Sequence, residues 1–239
     1  MMRSSLRTEL SDTPRRRPHP GWFLTLEGGE GAGKSTQIAR LARDLGAAGH
    51  LVVKTREPGG TPFAEDVRRV LLSGGARRLG VDAEAMLFAA ARADHVQKII
   101  RPALEAGQVV LCDRFLDSSR VYQGAAGCNT GLLRALERVA IGTARPDLTL
   151  ILDLPAAEGL ARARRRAAAG GDTVPDRFEG EALAVHEARR AAFRALAAAE
   201  PERCVLIDAS GSPEQVAAGI RAVIRQRLPT LGLAAAESI

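Results

Sequence analysis

Residues 28–35, Gly28-Gly29-Glu30-Gly31-Ala32-Gly33-Lys34-Ser35, fit the pattern G-x-x-x-x-G-K-[ST] at every position. Their surroundings give the pattern its meaning. Ahead lies the apolar run Trp22-Phe23-Leu24-Thr25-Leu26, and behind it Ile38, Leu41, Ala42 and Leu45 recur at helical spacing. Strand, glycine loop and helix in that order make a cradle for a polyphosphate. Glycines let successive backbone N–H groups turn inward, and the helix opening at Gly33 adds the positive end of its dipole. The expected ATP-binding set is Gly28, Gly29, Glu30, Gly31, Ala32, Gly33, Lys34, Ser35 and Thr36. In it Lys34 would reach the β- and γ-phosphates and the Ser35 hydroxyl would hold Mg²⁺.

Working outward, Leu51-Val52-Val53-Lys54-Thr55 reads as a second short strand, ended by the turn-rich Arg56-Glu57-Pro58-Gly59-Gly60-Thr61. Helices are expected from Pro62 to about Ser73 and from about Asp82 to Ala106, where Gly107 stops the second. Gln108 to Asp113 is an apolar strand ending in a carboxylate. In a chain with a phosphate loop, that suits Asp113 as a second Mg²⁺ or nucleophile-site group. Arg114 beside it offers a planar donor fork for phosphate oxygens. A helix from about Thr130 to Ala144 precedes the strand Asp147 to Asp153. Cys204 to Asp208 is the last strand, and Val216, Ile220, Val223 and Ile224 mark a closing amphipathic helix. The expectation is an α/β fold: a three-layer, doubly wound, five-stranded parallel sheet of the P-loop NTPase type, with ligands beyond the carboxyl ends of the strands.

An arginine-dense stretch follows the fourth strand, with Arg162, Arg164, Arg165 and Arg166 ahead of Gly170-Gly171 and Pro175. Such a charge run is most often a solvated helix face. The glycine pair and proline interrupt two helices here, so about 156–180 reads as a small helical lid, one of whose arginines, Arg166 among them, could approach the γ-phosphate as an in-chain arginine finger.

The length of 239 residues suits one domain over about 21–228, between a disordered basic tail at 1–20 and a C-terminal tail at 229–239. Cys112, Cys128 and Cys204 show no C-x-x-C spacing, which argues against a disulfide framework or zinc site and for a reducing, cytoplasmic setting. No apolar run reaches the roughly 20 residues of a membrane span. The net charge of +6 invites a nucleic-acid reading, but residues 1–20 hold five arginines against Glu9 and Asp12, about half of the excess. One Trp and one Tyr are few for a single-strand stacking platform, so no nucleic-acid partner is expected. A GTPase switch would need Asn-Lys-x-Asp, and the one asparagine, Asn129, is followed by Thr130.

GGEGAGKST at 28–36, REPGGT at 56–61, LFAAARADHV at 87–96, DRFLDSSRVYQG at 113–124, DLP at 153–155 and DRFE at 176–179 together resemble the bacterial thymidylate kinase family over about residues 22–228. The resemblance implies transfer of the γ-phosphoryl group of ATP to dTMP with Mg²⁺, in the supply of dTTP for DNA replication, by a homodimer with interface candidates near 62–106 and 130–144. It implies catalytic roles for Lys34, Glu30, Arg114, Arg56 and Arg166, with Ser35 and Asp113 at the metal. Arg56 and Arg114 would clamp the dTMP phosphate, beside Glu57 and Pro58. Phe88 would stack on thymine, Arg92 would hydrogen-bond its carbonyl, Ser118 and Gln123 would border the base, and Tyr122 would crowd a ribose 2′-hydroxyl. Each has a blander reading: Phe88 as an apolar-face core residue, Tyr122 as a buried ring, Asp153 as a helix cap instead of a water-mediated Mg²⁺ group. Asp208 reads as a turn residue near the adenine, and His95 and His186 as helix-surface histidines.

Overall fold

A computed structural model describes residues 18–169, 178 and 180–234, with Arg77 described by its backbone alone. The readings for 1–17 and 235–239, and for Gly170, Gly171, Pro175, Asp176, Arg177 and Glu179 of the lid, lie outside these residues. Five strands, β1 (Trp22–Gly28), β2 (Val52–Arg56), β3 (Val109–Asp113), β4 (Leu148–Asp153) and β5 (Cys204–Asp208), pair in parallel in the order β2-β3-β1-β4-β5. From β1 the chain goes to one side for β2 and β3, then crosses to the other for β4 and β5. The carboxyl ends of β1 and β3 therefore flank the reversal, where open α/β sheets bind ligands. Register puts Leu26 beside Asp113 and Arg56 beside Asp113, so three strand ends converge.

Strand alternation divides the core in two. Leu24 and Leu26 face one layer with Ile38, Leu41, Leu45, Ile220 and Ile224, whereas Phe23 faces the other with Val110, Cys112, Ile100, Leu104 and Phe115. Helices α1 (Lys34–Ala47) and α9 (Pro213–Arg227) cover the first face. α9 opens with a capping box at Ser212 and Gln215. On the second face lie α3 (Gly80–His95), α4 (Arg101–Glu105), α5 (Leu116–Ala125), α6 (Thr130–Ile141) and α8 (Leu183–Ala199). α2 (Pro62–Leu72) packs on α3, and α7 (Ala156–Ala168) packs on α8.

The helix expected over 82–106 begins at Gly80 and is interrupted by a π-helical turn at Val96–Ile100. Pro102 is the cause: it has no N–H for the Lys98 carbonyl and its ring would strike it, so the preceding turn widens. The helix expected to reach Ala144 ends at Ile141, where Gly142 takes φ 54°. Helix α5 is not visible as an apolar stripe, because its buried face includes Asp117 and Gln123 beside Leu116, Val121 and Tyr122. The fold also runs past 228: Leu231 and Leu233, assigned to a tail, are buried in the cluster that holds Ile224.

A buried polar network anchors α5. Asp117, fully buried in its first turn, receives Arg203 at 2.6 and 2.8 Å, and Arg203 also reaches Thr149, which pairs with Thr25 at 2.8 Å. Removing one partner of such a buried pair typically costs about 3–5 kcal/mol.

Candidate active site

The phosphate loop leaves β1 at Gly28 and enters α1 through Gly33, whose φ of 92° an L side chain rarely adopts. Lys34 folds back over the loop and donates to the Gly28 and Gly29 carbonyls at 3.1 and 2.9 Å. Burial, followed by the nearby Arg114, lowers its pKa. Gly31 has φ 68°, and a Cβ there would lie 2.0 Å from the Gly159 carbonyl, so the loop backbone is pressed against the start of α7. The Ser35 hydroxyl donates to Asp113 Oδ2 at 2.7 Å. These hard oxygen donors, side by side at the end of the loop, fit Mg²⁺, which takes one or two protein oxygens and fills its shell with water and phosphate.

Asp153 is held by two arginines. It does not cap α7, whose N-cap position is Pro155. Its oxygens accept from Arg190 at 2.7 and 3.1 Å and from Arg194 at 2.6 Å, and the Arg190 bond, ahead of the other causes, lowers its pKa. Asp208 closes a tight turn by accepting from the Ser210 N–H and hydroxyl.

Beside the loop opens a pocket lined by Glu30, Glu57, Pro58, Arg68, Leu72, Phe88, Arg92, Arg114, Phe115, Ser118, Ser119, Tyr122, Gln123 and Phe178. Glu30 stands where loop and pocket meet. It accepts from Arg114 at 2.6 Å and from the Tyr122 hydroxyl at 2.9 Å. Burial alone would raise its pKa, but Arg114 and then Lys34 overcome this and hold it near 2. Burial raises the Tyr122 phenol, so it stays a neutral donor. Arg114 has φ 66°, in the left-handed region that a bulky residue occupies only where its surroundings compel it. The strained residue is the one whose guanidinium must turn from the end of β3 into the pocket.

Glu27, three residues before Glu30, does the opposite. It is fully buried and accepts from the Phe115 and Ser118 amides at 2.8 and 3.2 Å and the Ser118 hydroxyl at 2.6 Å. β1 thus supplies a cap that α5 lacks, since no side chain caps it from its own N-cap residue Phe115. Burial and then Asp117 push the Glu27 carboxyl up to about 7.

A second chain of groups holds the other wall. Arg92 donates to Glu57 at 2.7 Å, to the Phe115 carbonyl and to Ser119, both at 3.1 Å. Glu57 also bonds His95 Nδ1 at 3.0 Å, and His95 Nε2 meets Thr55 Oγ1 at 2.6 Å. His95 is therefore fully buried and not on a helix surface, because it fills the space behind the Glu57 carboxylate. His186 is buried as well, since α8 turns that side inward against the sheet. Gln123 donates to Glu84 at 3.0 Å, which fixes its amide at the pocket wall.

Of the expected substrate-side residues, Glu30, Glu57, Pro58, Phe88, Arg92, Arg114, Ser118, Tyr122 and Gln123 line this single pocket. Arg56 does not. It lines an adjoining open groove with Ser35 and Asp113 and pairs with Glu65 at 3.1 Å. That pair is exposed and worth little, and the β2–β3 register keeps Arg56 next to Asp113. Arg166 lies exposed in the last turn of α7. Sequence reasoning passed over the cap role of Glu27 and the pocket positions of Arg68, Leu72 and Phe178. An acid closing a buried strand just before the loop was the available sign for Glu27.

A phosphate loop at a sheet reversal, joined through one carboxylate to a neighbouring pocket lined by charged, aromatic and polar side chains, defines the class as a P-loop kinase. Residues 26–220 match the thymidylate kinase family. The chain is 52% identical over 227 residues to a thymidylate kinase of Nitrobacter winogradskyi, covering 95% of this chain and 97% of that one. It is 54% identical over 209 residues to one of Bradyrhizobium diazoefficiens, covering 87% and 90%. The crystal structure of thymidylate kinase from Ehrlichia chaffeensis superposes with a TM-score of 0.66 at 31% identity, covering 85% of this chain and 98% of that one. The chain belongs to the thymidylate kinase family.

Proposed function

We propose that the protein transfers the γ-phosphoryl group of ATP to the 5′-phosphate of dTMP, giving dTDP and ADP. The observation that carries this is the placement of Glu30, bonded to Arg114 and Tyr122, at the one point shared by the phosphate loop and the neighbouring pocket. Two anionic substrates repel until they are neutralised and aligned, so positioning and charge do most of the work in such reactions. On the donor side Lys34 leaves the loop carbonyls for the β- and γ-phosphates. On the acceptor side Arg114 holds the dTMP phosphate, with Arg56 joining it as the exposed Glu65 pair opens. Phe88 stacks on thymine, Arg92 meets its carbonyl, and Ser118, Gln123 and Tyr122 border the nucleoside. No general base is needed, because the acceptor phosphate is already an anionic nucleophile. Ser35 and Asp113 would hold Mg²⁺, which when bound neutralises charge on the phosphate oxygens.

A coupled ADP-release assay across dTMP, dUMP, UMP, CMP, AMP and GMP tests the reading: dTMP is expected to lead, and comparable turnover of AMP or GMP would overturn it. The exposed apolar residues Phe63 and Val70 on α2, Met86 on α3 and Val139 on α6 support a homodimer through these helices. The cysteine pattern suits the cytoplasm, and the contact of α7 with the loop suits residues 156–180 as the lid that carries Arg166 towards ATP.

A further inference from the structure

Arg189 is a buried arginine on α8 that no step of the reaction described above uses. Its guanidinium carbon sits 4.3 Å from the centre of the Tyr122 ring and 5.4 Å from that of Phe178. Arg114 approaches the same Tyr122 ring at 5.0 Å, and Phe178 and Phe193 meet it edge-on at 5.3 and 6.4 Å. Arg189 also forms an ion pair with Glu181, just ahead of α8. Its Nε finds no hydrogen-bond partner among the described residues. A buried guanidinium left short of partners is unfavourable unless the aromatic faces compensate, and planar arginine is the cation best suited to lie on them.

We infer that Arg189 is a positioning residue for the acceptor pocket. It holds Tyr122 and Phe178 together from α8, keeps the Tyr122 hydroxyl on Glu30, and so sets the wall that meets the sugar of the incoming nucleotide. The inference rests on the dTMP reading of that pocket. Arg189 itself is absent from the pocket lining, to which Tyr122 and Phe178 both contribute. Its effect should therefore appear in acceptor binding and sugar discrimination, not in use of ATP.

The test is a double-mutant cycle of Arg189→Met with Tyr122→Leu, with steady-state constants for dTMP, for its ribose counterpart and for ATP. Arg189→Met is expected to raise KM for dTMP about tenfold and to narrow the preference for the deoxyribose form, with KM for ATP within about twofold, in keeping with the strength of desolvated cation–π contacts. Arg189→Lys, which keeps a cation near the ring, should recover part of the loss. With Tyr122→Leu already present, Arg189→Met should add almost nothing. If the two losses multiply, or if KM for ATP rises in parallel, Arg189 is only a packing residue and the inference is overturned. Should Arg189→Met not fold, Arg189→Gln carries the same cycle. Absence of dTMP turnover by the wild-type chain would sink the proposed function and this inference with it. Wild-type activity with an additive cycle would remove this inference alone.

Discussion

The phosphate loop and the acceptor pocket share Glu30 but are built in different ways. The loop is eight consecutive residues whose ligand groups are mostly backbone, and Lys34 occupies its carbonyls at 2.9 and 3.1 Å. Apart from Glu30, the pocket gathers side chains from the β2–α2 turn, α2, α3, the β3–α5 turn, α5 and the approach to α8. Two of its walls are fixed by charge pairs, the buried Arg92–Glu57 at 2.7 Å and the partly buried Arg114–Glu30 at 2.6 Å. A backbone cradle suits a ligand recognised by charge, and a side-chain pocket suits one recognised by shape. The same contrast separates Glu27 and Glu30, three residues apart: one is pushed up to about 7 and the other held near 2. Glu27 faces amides under a helix, whereas Glu30 faces two cations.

The largest expected effect is at the shared point. Arg114→Ala should lower kcat by two to three orders of magnitude, about the loss seen when a transition-state donor is removed. It should also lower folding stability, because the partly buried Glu30 loses its partner. Turnover within a few-fold of wild type, in protein shown to be folded, would make the loop sufficient by itself and remove Arg114 from the clamp.

Phe88→Ala separates the two sides more gently. Stacking on a base is worth about 1–3 kcal/mol, so KM for dTMP should rise about tenfold or more while KM for ATP stays put. Unchanged dTMP saturation would return Phe88 to the role of a core residue between its two apolar clusters.

The smallest effect should be a pH slope. The Glu27 carboxyl takes up its proton more readily in the folded chain, near 7, than at its ordinary 4.5. Its contribution to stability is therefore complete below pH 4.5 and is lost as pH rises through about 7. Glu27→Gln has no such proton, so the wild type should lose ground against it between those limits, by at most on the order of 3 kcal/mol. Urea unfolding of both proteins at pH 5 and pH 8 measures this, and parallel behaviour would mean that Glu27 is ionised throughout.

The sequence alone carried the succession of strands along the chain, the phosphate loop and most of the pocket, though not Phe115, Ser119 and Phe178, which sit in the same motifs. Apolar runs such as Val109 to Cys112 are unmistakable when both faces of a strand are buried. What stayed hidden was hidden for physical reasons. α5 buries Asp117 and Gln123, so its pattern is not apolar, and their partners Arg203 and Glu84 lie far off along the chain. His95 and His186 look like surface residues because their helices bury polar side chains against other polar groups or into the sheet. Arg56 was expected to stand with Arg114, yet its side chain turns to Glu65 while its backbone keeps the expected position next to Asp113.

Where Gly31 and Gly159 meet, no side chain intervenes, and even a methyl group on either residue would lie within 2.3 Å of the opposite backbone oxygen. The phosphate loop and α7 are thus in direct backbone contact. A nucleotide that shifts the loop by a fraction of an ångström must displace that helix, and a label on α7 would register occupancy before any bond is made.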